Sequence, residues 1–282
     1  MFLIIKMEKE EIGTGSVSKV YAENGVAVKV YNDMSTHEDD FETEVACLIE
    51  LKGCKWVVQY ISHDTQMGSI TMELLEGDIV DLLLKRELFP HTWIENFTVD
   101  VLKADYAMGI RDIFHADINF KNVLYYINDD EEIHFKVCDF SHSTIMENES
   151  GITKPYPILG APEWYKVNYE ILNYAKSVTW TIAGLIYFIQ TRKFITHELW
   201  KTSSYYKPGL KFHSTEHLES IEKFIIDNVD GEFSQTDIED CIEYLDMDDV
   251  KNSDKLKEFL FKALVIDNTD RITSAEALGI FL

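Results

Sequence analysis

The segment His115-Ala-Asp-Ile-Asn-Phe-Lys-Asn122, followed after a predicted strand pair by Val137-Cys-Asp-Phe-Ser141, decides the fold. Transfer of a phosphoryl group needs a carboxylate that orients the attacking hydroxyl and oxygen ligands for a Mg²⁺ ion that bridges the phosphates. Asp117, Asn122 and Asp139 supply these groups. The pattern therefore predicts phosphotransfer chemistry around these two short segments.

Upstream of these segments, the chain reads as a set of strands with a phosphate-binding turn. The run Ile12-Gly-Thr-Gly-Ser-Val-Ser-Lys-Val20 places two glycines in a turn, where backbone N–H groups can approach phosphate oxygens. In the next strand, Val26-Ala-Val-Lys29, alternation puts Ala27 and Lys29 on one face, and the ammonium can reach phosphates. Glu44, on a predicted helix, is placed to hold that ammonium by a charge-assisted hydrogen bond.

The periodicity of apolar residues divides the chain into a β-rich N-terminal portion and a mostly helical remainder. We expect an α+β protein whose first portion holds one helix, at residues 37–51. Residues 141–159 show no periodicity and are predicted as a long functional loop. The other predicted elements are strands at 57–61, 69–75, 122–127 and 133–138 and helices at 79–85, 93–108, 177–189, 218–228, 234–244, 255–264 and 274–278.

Composition and charge exclude several classes of protein. The 282 residues are 46% apolar and 27% charged, which is typical of a chain that buries a core, so global disorder is excluded. The formal net charge of −24 disfavours nucleic-acid binding, because such a surface repels polyanions. No apolar run reaches the roughly 20 residues of a membrane span, and the four cysteines form no C-x-x-C pair. We therefore expect an intracellular protein, cytoplasmic or nuclear, with no membrane partner.

Taken in order, the motifs resemble the eukaryotic-type protein kinase family over nearly all of the chain. Ala161-Pro-Glu163 resembles the A-P-E that closes the family's activation segment, and Arg271 resembles the arginine that pairs with its glutamate. Trp180 and Tyr187 match the W…Y pattern of the buried helix between them. The matching residues nearer the N-terminus are Gly13 and Gly15 of the glycine loop, Lys29, Glu44, Asp117 and Asn122 of the H-x-D-x-x-x-x-N loop, and Asp139 of the D-F-x motif.

The resemblance implies one protein kinase domain over residues 1–282, with ATP bound in the cleft between two lobes. The N-lobe, at about residues 1–75, would be β-rich with one regulatory helix, and the C-lobe, at about 76–282, would be mainly helical. The implied catalytic residues are Asp117, Lys29, Glu44, Asn122 and Asp139, of which Asn122 and Asp139 would hold Mg²⁺. The implied ATP-binding residues are Ile12, Gly13, Gly15, Val20, Ala27, Lys29, the gatekeeper Met72, the hinge residues Glu73 and Leu75, and Leu124.

Four positions depart from the family pattern. Ala116 stands where most members have an arginine that reads a phosphate in the activation loop, so the chain looks like a kinase that is not switched in that way. Ser141 replaces the glycine of D-F-G, at an expected cost in backbone freedom. Ser18 replaces the third glycine of the loop, and Val178 replaces an aspartate that anchors the catalytic loop. None of the four removes a ligand of phosphate, metal or hydroxyl.

The type of substrate hydroxyl is left open by two incomplete signatures. Asn119 stands where serine/threonine kinases usually have lysine, and Lys121 stands where tyrosine kinases often carry arginine. The larger size of the serine/threonine branch favours a serine or threonine hydroxyl on a protein. The compact, divergent form resembles the kinases encoded by large DNA viruses.

Two other functions stay open at this point. The departures at Ala116, Ser141 and Val178 are also compatible with a pseudokinase that serves as a binding or regulatory scaffold. The H-x-D-x-x-x-x-N loop is shared with small-molecule phosphotransferases of the aminoglycoside or choline kinase type. Residues 227–254 hold eleven acids against one base, which indicates a solvated face or, less commonly, a docking site for a basic partner such as a protein substrate. The sequence does not indicate an oligomeric state.

Overall fold

The computed structural model describes residues 9–85, 93–145, 159–165, 174–204, 206, 209, 214–228, 234–248 and 250–282. Strands dominate the described chain up to Glu73, and helices dominate after Ile79. The strands are β1 (Glu10–Thr14), β2 (Ser18–Glu23), β3 (Val26–Tyr31), β4 (Tyr60–Asp64), β5 (Ser69–Glu73), β6 (Gly77–Asp78), β7 (Ile113–Phe114), β8 (Val123–Ile127), β9 (Ile133–Val137) and β10 (Thr144–Ile145). The helices are α1 (Met34–Glu50), α2 (Ile79–Leu84), α3 (Ile94–Gly109), α4 (Tyr174–Thr191), α5 (Ile195–Thr202), α6 (Thr215–Asn228), α7 (Gln235–Glu243), α8 (Ser253–Ala263) and α9 (Ser274–Phe281).

The N-terminal part is a five-stranded antiparallel sheet in the order β1-β2-β3-β5-β4. Asn24 and Gly25 turn the chain between β2 and β3, and both have positive φ, 54° and 80°. Alternation along β3 buries Ala27, Lys29 and Tyr31 on one face of the sheet. This face therefore carries a buried cation, whose partners must come from elements packed against it.

Helix α1 supplies one of those partners. It begins after the N-cap Asp33 and contacts β3 and β4. The predicted apolar stripe through Phe41, Val45 and Leu48 is buried. Glu44 lies on the same face and is also buried, so its carboxylate is directed towards the sheet.

A second sheet, in the order β6-β8-β9, brings the two sequence segments around Asp117 and Asp139 together. Residues 115–122 lead from β7 to β8, and residues 138–143 lead from β9 to β10. Because β8 pairs with β9 and β7 pairs with β10, the two connections must run side by side.

The helical part is built around α4, which buries most of its length, including Trp180 and Tyr187. Helix α3 packs against both α4 and α9 and also against β9, so it joins the helices to the second sheet. Among the described residues, no helix is both long and apolar enough to cross a membrane.

Most predicted elements lie within a few residues of the observed ones, but one predicted strand is displaced and β6, β7, β10 and α5 were not predicted. The strand predicted at 57–61 lies at Tyr60–Asp64, because Val58 N–H instead donates to Val137 O (3.0 Å) of the second sheet. Helix α5 was not predicted, and its N-cap residue Phe194 gives no side-chain capping signal. The predicted loop at 141–159 contains strand β10, and its residues 146–158 lie outside the described chain.

Candidate active site

An ammonium between two carboxylates forms the centre of the site. Lys29 Nζ donates to Glu44 Oε2 (2.7 Å) and to Asp139 Oδ1 (2.8 Å). The side chains of Lys29 and Glu44 are buried, whereas 37% of the Asp139 side chain is exposed. The bond between Lys29 and Glu44 was predicted, and the bond to Asp139 was not. When all three groups are ionised, this trio carries one excess negative charge, and its exposed member is a carboxylate.

The charges of the trio shift the pKa of each member. Although burial opposes it, the carboxylates of Glu44 and Asp139 raise the pKa of Lys29. Burial also opposes ionisation of Asp139, but the Lys29 ammonium holds the pKa of that carboxyl far below its ordinary value. Burial raises the pKa of Glu44, against the lowering effect of Lys29. Asp139 is therefore a carboxylate, and Lys29 an ammonium, at neutral pH.

Two hydroxyl groups also contact these carboxylates, and no sequence motif indicated either. Tyr31 OH donates to Glu44 Oε2 (2.6 Å), and Ser141 Oγ donates to Asp139 Oδ1 (2.7 Å). The positive φ of this segment (64°) lies at Asp139 and not at Ser141, and the expected loss of backbone freedom at Ser141 stays a prediction. Tyr31 shares a face of β3 with Lys29, so strand alternation could have pointed to it.

Two side-chain amides hold the carboxylate of Asp117. Asn119 Nδ2 donates to Oδ1 (2.9 Å), and Asn122 Nδ2 donates to Oδ2 (2.7 Å). Asn122 Nδ2 also reaches the carbonyl oxygen of Asp117 (2.9 Å). Each carboxylate oxygen has a further lone pair, so the oriented group can still accept a hydrogen bond from a substrate.

Hydrogen bonds join this loop to the segment that carries Asp139. Cys138 N–H donates to Asn122 O (2.9 Å). Asp117 N–H donates to His115 Nδ1 (3.3 Å), so we assign the imidazole proton to Nε2, which lies 3.0 Å from Cys138 O. Burial lowers the pKa of His115 and favours this neutral form. The two segments predicted to act together are therefore one hydrogen-bonded unit.

The apolar residues implied to hold the base lie on both sheets. Ala27 and Met72 face each other across β3 and β5, and both are buried. Val20 on β2 and Leu124 on β8 are partly buried, and Ile12 on β1 is 48% exposed. An apolar wall of this kind suits a flat base, and it is also what ordinary core packing would produce.

The side chain of Glu73, at the end of β5, is firmly anchored. Lys136 Nζ donates to both of its carboxylate oxygens (2.7 and 2.9 Å), and Gln59 N–H donates to Oε1 (2.7 Å). Glu73 N–H in turn donates to Gln59 O (3.0 Å). These bonds fix the backbone that leads from the first sheet towards Leu75, which is partly buried.

The donor set suits a hard divalent cation. Asp139 Oδ2 and Asn122 Oδ1 accept no hydrogen bond from the residues that the structure describes. Mg²⁺ takes oxygen ligands and usually keeps several waters and substrate phosphate oxygens, with one or two protein groups. In the described ranges, no group of three His, Cys, Asp or Glu could hold a metal ion. The two oxygens therefore fit the protein's share of a magnesium site that phosphates and water complete.

The glycine loop between β1 and β2 is closed by backbone bonds. Gly15 N–H donates to Ser18 O (2.9 Å), and Asn32 N–H, at the end of β3, donates to Val17 O (2.9 Å). Neither Gly13 nor Gly15 has a positive φ, and a Cβ added to either would meet only ordinary contacts at 3.6 Å. The fold itself does not require glycine here, which is compatible with a ligand that approaches the loop backbone.

A small cavity lies beside Asp117, and two of the departing positions line it. Ala116, with a φ of 61°, and Val178 form part of its wall, together with Leu159 and Trp164. A cavity with small and apolar side chains in its wall therefore lies at the two positions where the family has an arginine and an aspartate.

A second buried ion pair lies in the helical part. Arg271 Nη1 and Nη2 donate to Glu163 Oε1 and Oε2 (2.5 and 3.0 Å), which is the pairing implied by the sequence resemblance. Ser177 Oγ donates to Glu163 Oε1 (2.7 Å), and Arg271 Nε donates to Val265 O (2.9 Å). The guanidinium also lies 5.0 Å from the centroid of the Trp180 ring.

Comparison with known proteins agrees with this geometry. The protein kinase domain family matches residues 7–280. The chain is 27% identical over 196 residues to calcium/calmodulin-dependent protein kinase type 1 of Caenorhabditis elegans, which covers 64% of the chain and 54% of that protein. It is 28% identical over 127 residues to calcium-dependent protein kinase 6 of Plasmodium berghei, which covers 44% of the chain and 8% of that protein.

A third relative is the cell cycle serine/threonine-protein kinase CDC5/MSD2 of Saccharomyces cerevisiae. It is 26% identical over 111 residues, which covers 38% of the chain and 15% of that protein. The matched regions thus span about half or less of the length of these three relatives.

Proposed function

The chain belongs to the protein kinase family, and we propose that it transfers the γ-phosphate of Mg²⁺-bound ATP to a serine or threonine hydroxyl of a protein. One observation carries the proposal: Lys29 is held between Glu44 and Asp139, within a unit that also orients Asp117. Phosphoryl transfer requires of the protein a cation for the phosphates, oxygen ligands for the metal and a carboxylate for the hydroxyl. The described residues supply all three.

In this proposal, binding of the nucleotide depends on charge and on backbone groups. Lys29, fixed by Glu44, presents its ammonium to phosphate oxygens, and the N–H groups of the glycine loop cover them. Mg²⁺, held by Asp139 and Asn122, would neutralise negative charge that develops on the phosphates.

Asp117 orients the attacking hydroxyl and receives its proton. The substrate oxygen forms a bond to the γ-phosphorus while the bond to the bridging oxygen breaks, and ADP leaves with that oxygen and its electron pair. The proton of the hydroxyl moves to the Asp117 carboxylate, whose orientation is set by Asn119 and Asn122. Both of these donors are neutral. They therefore add no positive charge that would oppose protonation of the Asp117 carboxylate.

We propose a basic protein segment as the substrate. The formal net charge of −24 attracts cationic partners at long range. One relative is named as a serine/threonine-protein kinase, which supports a serine or threonine acceptor.

The test is transfer of label from radiolabelled ATP to a mixed peptide library in the presence of Mg²⁺, with the modified residue identified by mass spectrometry. The wild-type protein should label serine or threonine. Asp139→Asn should weaken Mg²⁺-dependent nucleotide binding, because a neutral amide is a poorer ligand for a hard cation. Asp129→Asn, in the exposed turn between β8 and β9, is the matched control and should bind like the wild type.

Other outcomes would assign other functions. Mg²⁺-dependent ATP binding without turnover would indicate a scaffold, a function with which the residues at positions 116 and 178 are compatible. Labelled tyrosine would correct the type of hydroxyl. Transfer to small alcohols and not to peptides would indicate a small-molecule phosphotransferase.

A further inference from the structure

Two neutral hydroxyl groups flank the ion-pair trio of Lys29, Glu44 and Asp139. We propose that Tyr31 and Ser141 are positioning residues, which hold the two carboxylates in the orientation in which Lys29 contacts both. The inference rests on the proposed kinase function, and it assigns to these two side chains a role in nucleotide and metal binding. Each hydroxyl donates to one of the two carboxylates that Lys29 contacts.

The hydroxyl of Tyr31 completes the surroundings of a fully buried carboxylate. Glu44 Oε2 accepts from Lys29 Nζ (2.7 Å) and from Tyr31 OH (2.6 Å), while Oε1 accepts from Phe140 N–H (3.3 Å). A buried carboxylate that lacks donors is costly, and its side chain then turns towards any other donor within reach. An edge-on contact with Phe41 (5.5 Å between centroids) positions the Tyr31 ring. Its hydroxyl lies much closer to Glu44 Oε2 than to the other acceptor within reach, Asp40 O (3.4 Å).

The hydroxyl of Ser141 selects one oxygen of Asp139. Ser141 Oγ donates to Oδ1 (2.7 Å), the same oxygen that Lys29 Nζ contacts (2.8 Å). The backbone N–H of Ser141 makes a third, longer contact to Oδ1 (3.4 Å). With these donors on one oxygen, the carboxylate cannot rotate freely about its own axis. Oδ2 then remains available to a metal ion. A glycine at position 141 would have no side chain to provide this bond.

Neutral donors suit this place better than cations. The trio carries one excess negative charge, which favours a divalent cation beside Asp139. A second lysine or arginine in place of Tyr31 or Ser141 would cancel that charge and compete with Lys29. A hydroxyl adds a directional hydrogen bond and leaves the charge unchanged.

The experiment compares two variants that each remove one hydroxyl, Tyr31→Phe and Ser141→Ala. Tyr21→Phe on β2 and Ser62→Ala on the exposed edge of β4 are the matched controls. Binding of ADP is measured by calorimetry at a series of Mg²⁺ concentrations, and kcat and KM for ATP are measured in parallel. A lost hydrogen bond to a charged group predicts an effect of about tenfold in each case.

The two variants should differ in what they change. Ser141→Ala should raise by about tenfold the Mg²⁺ concentration needed for half-maximal ADP binding, and Ser141→Thr, which keeps a hydroxyl, should restore it. Tyr31→Phe should weaken ADP binding by a similar factor at every Mg²⁺ concentration, because it acts through Glu44 and Lys29. The controls should match the wild type in both measurements.

The outcomes separate this inference from the proposed function. If the wild type binds Mg²⁺-ADP and both variants bind it equally well, the positioning role is wrong and the kinase function stands. If a variant lowers only the unfolding midpoint and leaves the Mg²⁺ dependence and KM unchanged, the hydroxyl that it lacks is structural. That result also overturns the inference. If the wild type neither binds nucleotide nor transfers phosphate, the proposed function fails and the inference fails with it.

Discussion

The ion pairs Lys29–Glu44 and Arg271–Glu163 are equally buried, but only the first contacts a third charged group that is part-exposed, Asp139. Arg271 and Glu163 make a two-pronged contact, their charges balance, and their side chains are 0% and 6% exposed. Lys29 and Glu44 share their charges with Asp139, which leaves one negative charge in excess on an exposed carboxylate.

This is the difference that we expect between a pair that stabilises the fold and a pair that binds the proposed ligand. A balanced pair whose hydrogen bonds are all made within the protein gains nothing from an added ion, and removing one partner leaves an uncompensated charge. An unbalanced pair with an open carboxylate still attracts a cation. Burial of an ion pair therefore does not by itself mark an active site, and what sets the Lys29–Glu44 pair apart is its contact with the part-exposed carboxylate of Asp139.

The largest expected effect tests the candidate active site, to which the Lys29–Glu44 pair belongs. Asp117→Asn should lower the rate of phosphoryl transfer by roughly a hundred- to ten-thousand-fold, because the group that receives the hydroxyl proton is lost. ATP binding and the unfolding midpoint should stay close to those of the wild type, since Lys29, Asp139 and Asn122 are retained. Single-turnover rates, ATP titration and thermal unfolding measure the three quantities. Loss of ATP affinity with turnover retained would assign Asp117 to binding and not to chemistry.

The next effect tests the ion pair between Arg271 and Glu163. Arg271→Ala should lower the free energy of unfolding by about 3 to 5 kcal/mol, because Glu163 is left buried without its cation. Arg111→Ala, which loses a part-exposed contact to Glu50 (4.0 Å) and a hydrogen bond from Nη1 to Ala107 O (2.8 Å), should cost only about 1 kcal/mol. Denaturant unfolding measures both. An unfolding midpoint unmoved by Arg271→Ala would remove the distinction between the two pairs.

A third buried carboxylate, Asp105, sharpens the comparison because it is paired with the Ser274 hydroxyl (2.6 Å) and not with a cation. Burial raises its pKa to about 7, against the lowering effect of Ser274. The folded protein thus keeps a proton that the unfolded chain releases above about pH 4, so this group makes stability fall as the pH rises from about 4 to about 7.

Asp105→Asn removes this pH dependence. The variant should gain stability over the wild type as the pH is raised through that range, by at most about 4 kcal/mol at pH 8, and the gain should vanish near pH 4. Thermal unfolding at several pH values measures it, with the exposed Asp254→Asn as control. A gain that is the same at every pH would show that Asp105 does not titrate in this range.

The smallest effect concerns control of the catalytic rate by phosphorylation. Ala116 offers no guanidinium to a phosphate, and the sequence of residues 141–159 adds two acids, Glu147 and Glu149, whose charge has the same sign as that of a phosphate. Treatment of the active protein with a phosphatase should therefore leave the initial rate within about twofold, since no charge-assisted contact is lost. A drop of tenfold or more, restored by rephosphorylation in that segment, would contradict this.

The sequence predicts best those features that depend on short spacing or on a complete motif. Lys29 and Glu44 could be paired in advance because a strand and the helix that follows it place them together. Glu163 and Arg271 lie 108 residues apart and could be paired only through the family resemblance. The pairing of β8 with β9 follows from the predicted strand pair, whereas β7 and β10 hold two residues each and are too short to be recognised as strands from the sequence.

What could not be predicted depends on the approach of distant surfaces. Whether Tyr31 donates to Glu44 is decided by the packing of α1 on β3, and the sequence shows only that the tyrosine lies on the same face as Lys29. Ser141 was expected to be a backbone cost because the motif has glycine there. The structure places the unusual φ at Asp139 and gives the serine a hydrogen bond.

The long separation of Glu163 and Arg271 has a consequence for synthesis on the ribosome. At roughly 5 to 20 residues per second, Arg271 is made about 5 to 20 seconds after Glu163. During that interval, Glu163 has no guanidinium to accompany it into the interior, so its carboxylate must stay in water. We therefore expect the helices around α4 to remain sensitive to protease in ribosome-bound chains that stop before Arg271. Protection should appear only once that residue has left the exit tunnel.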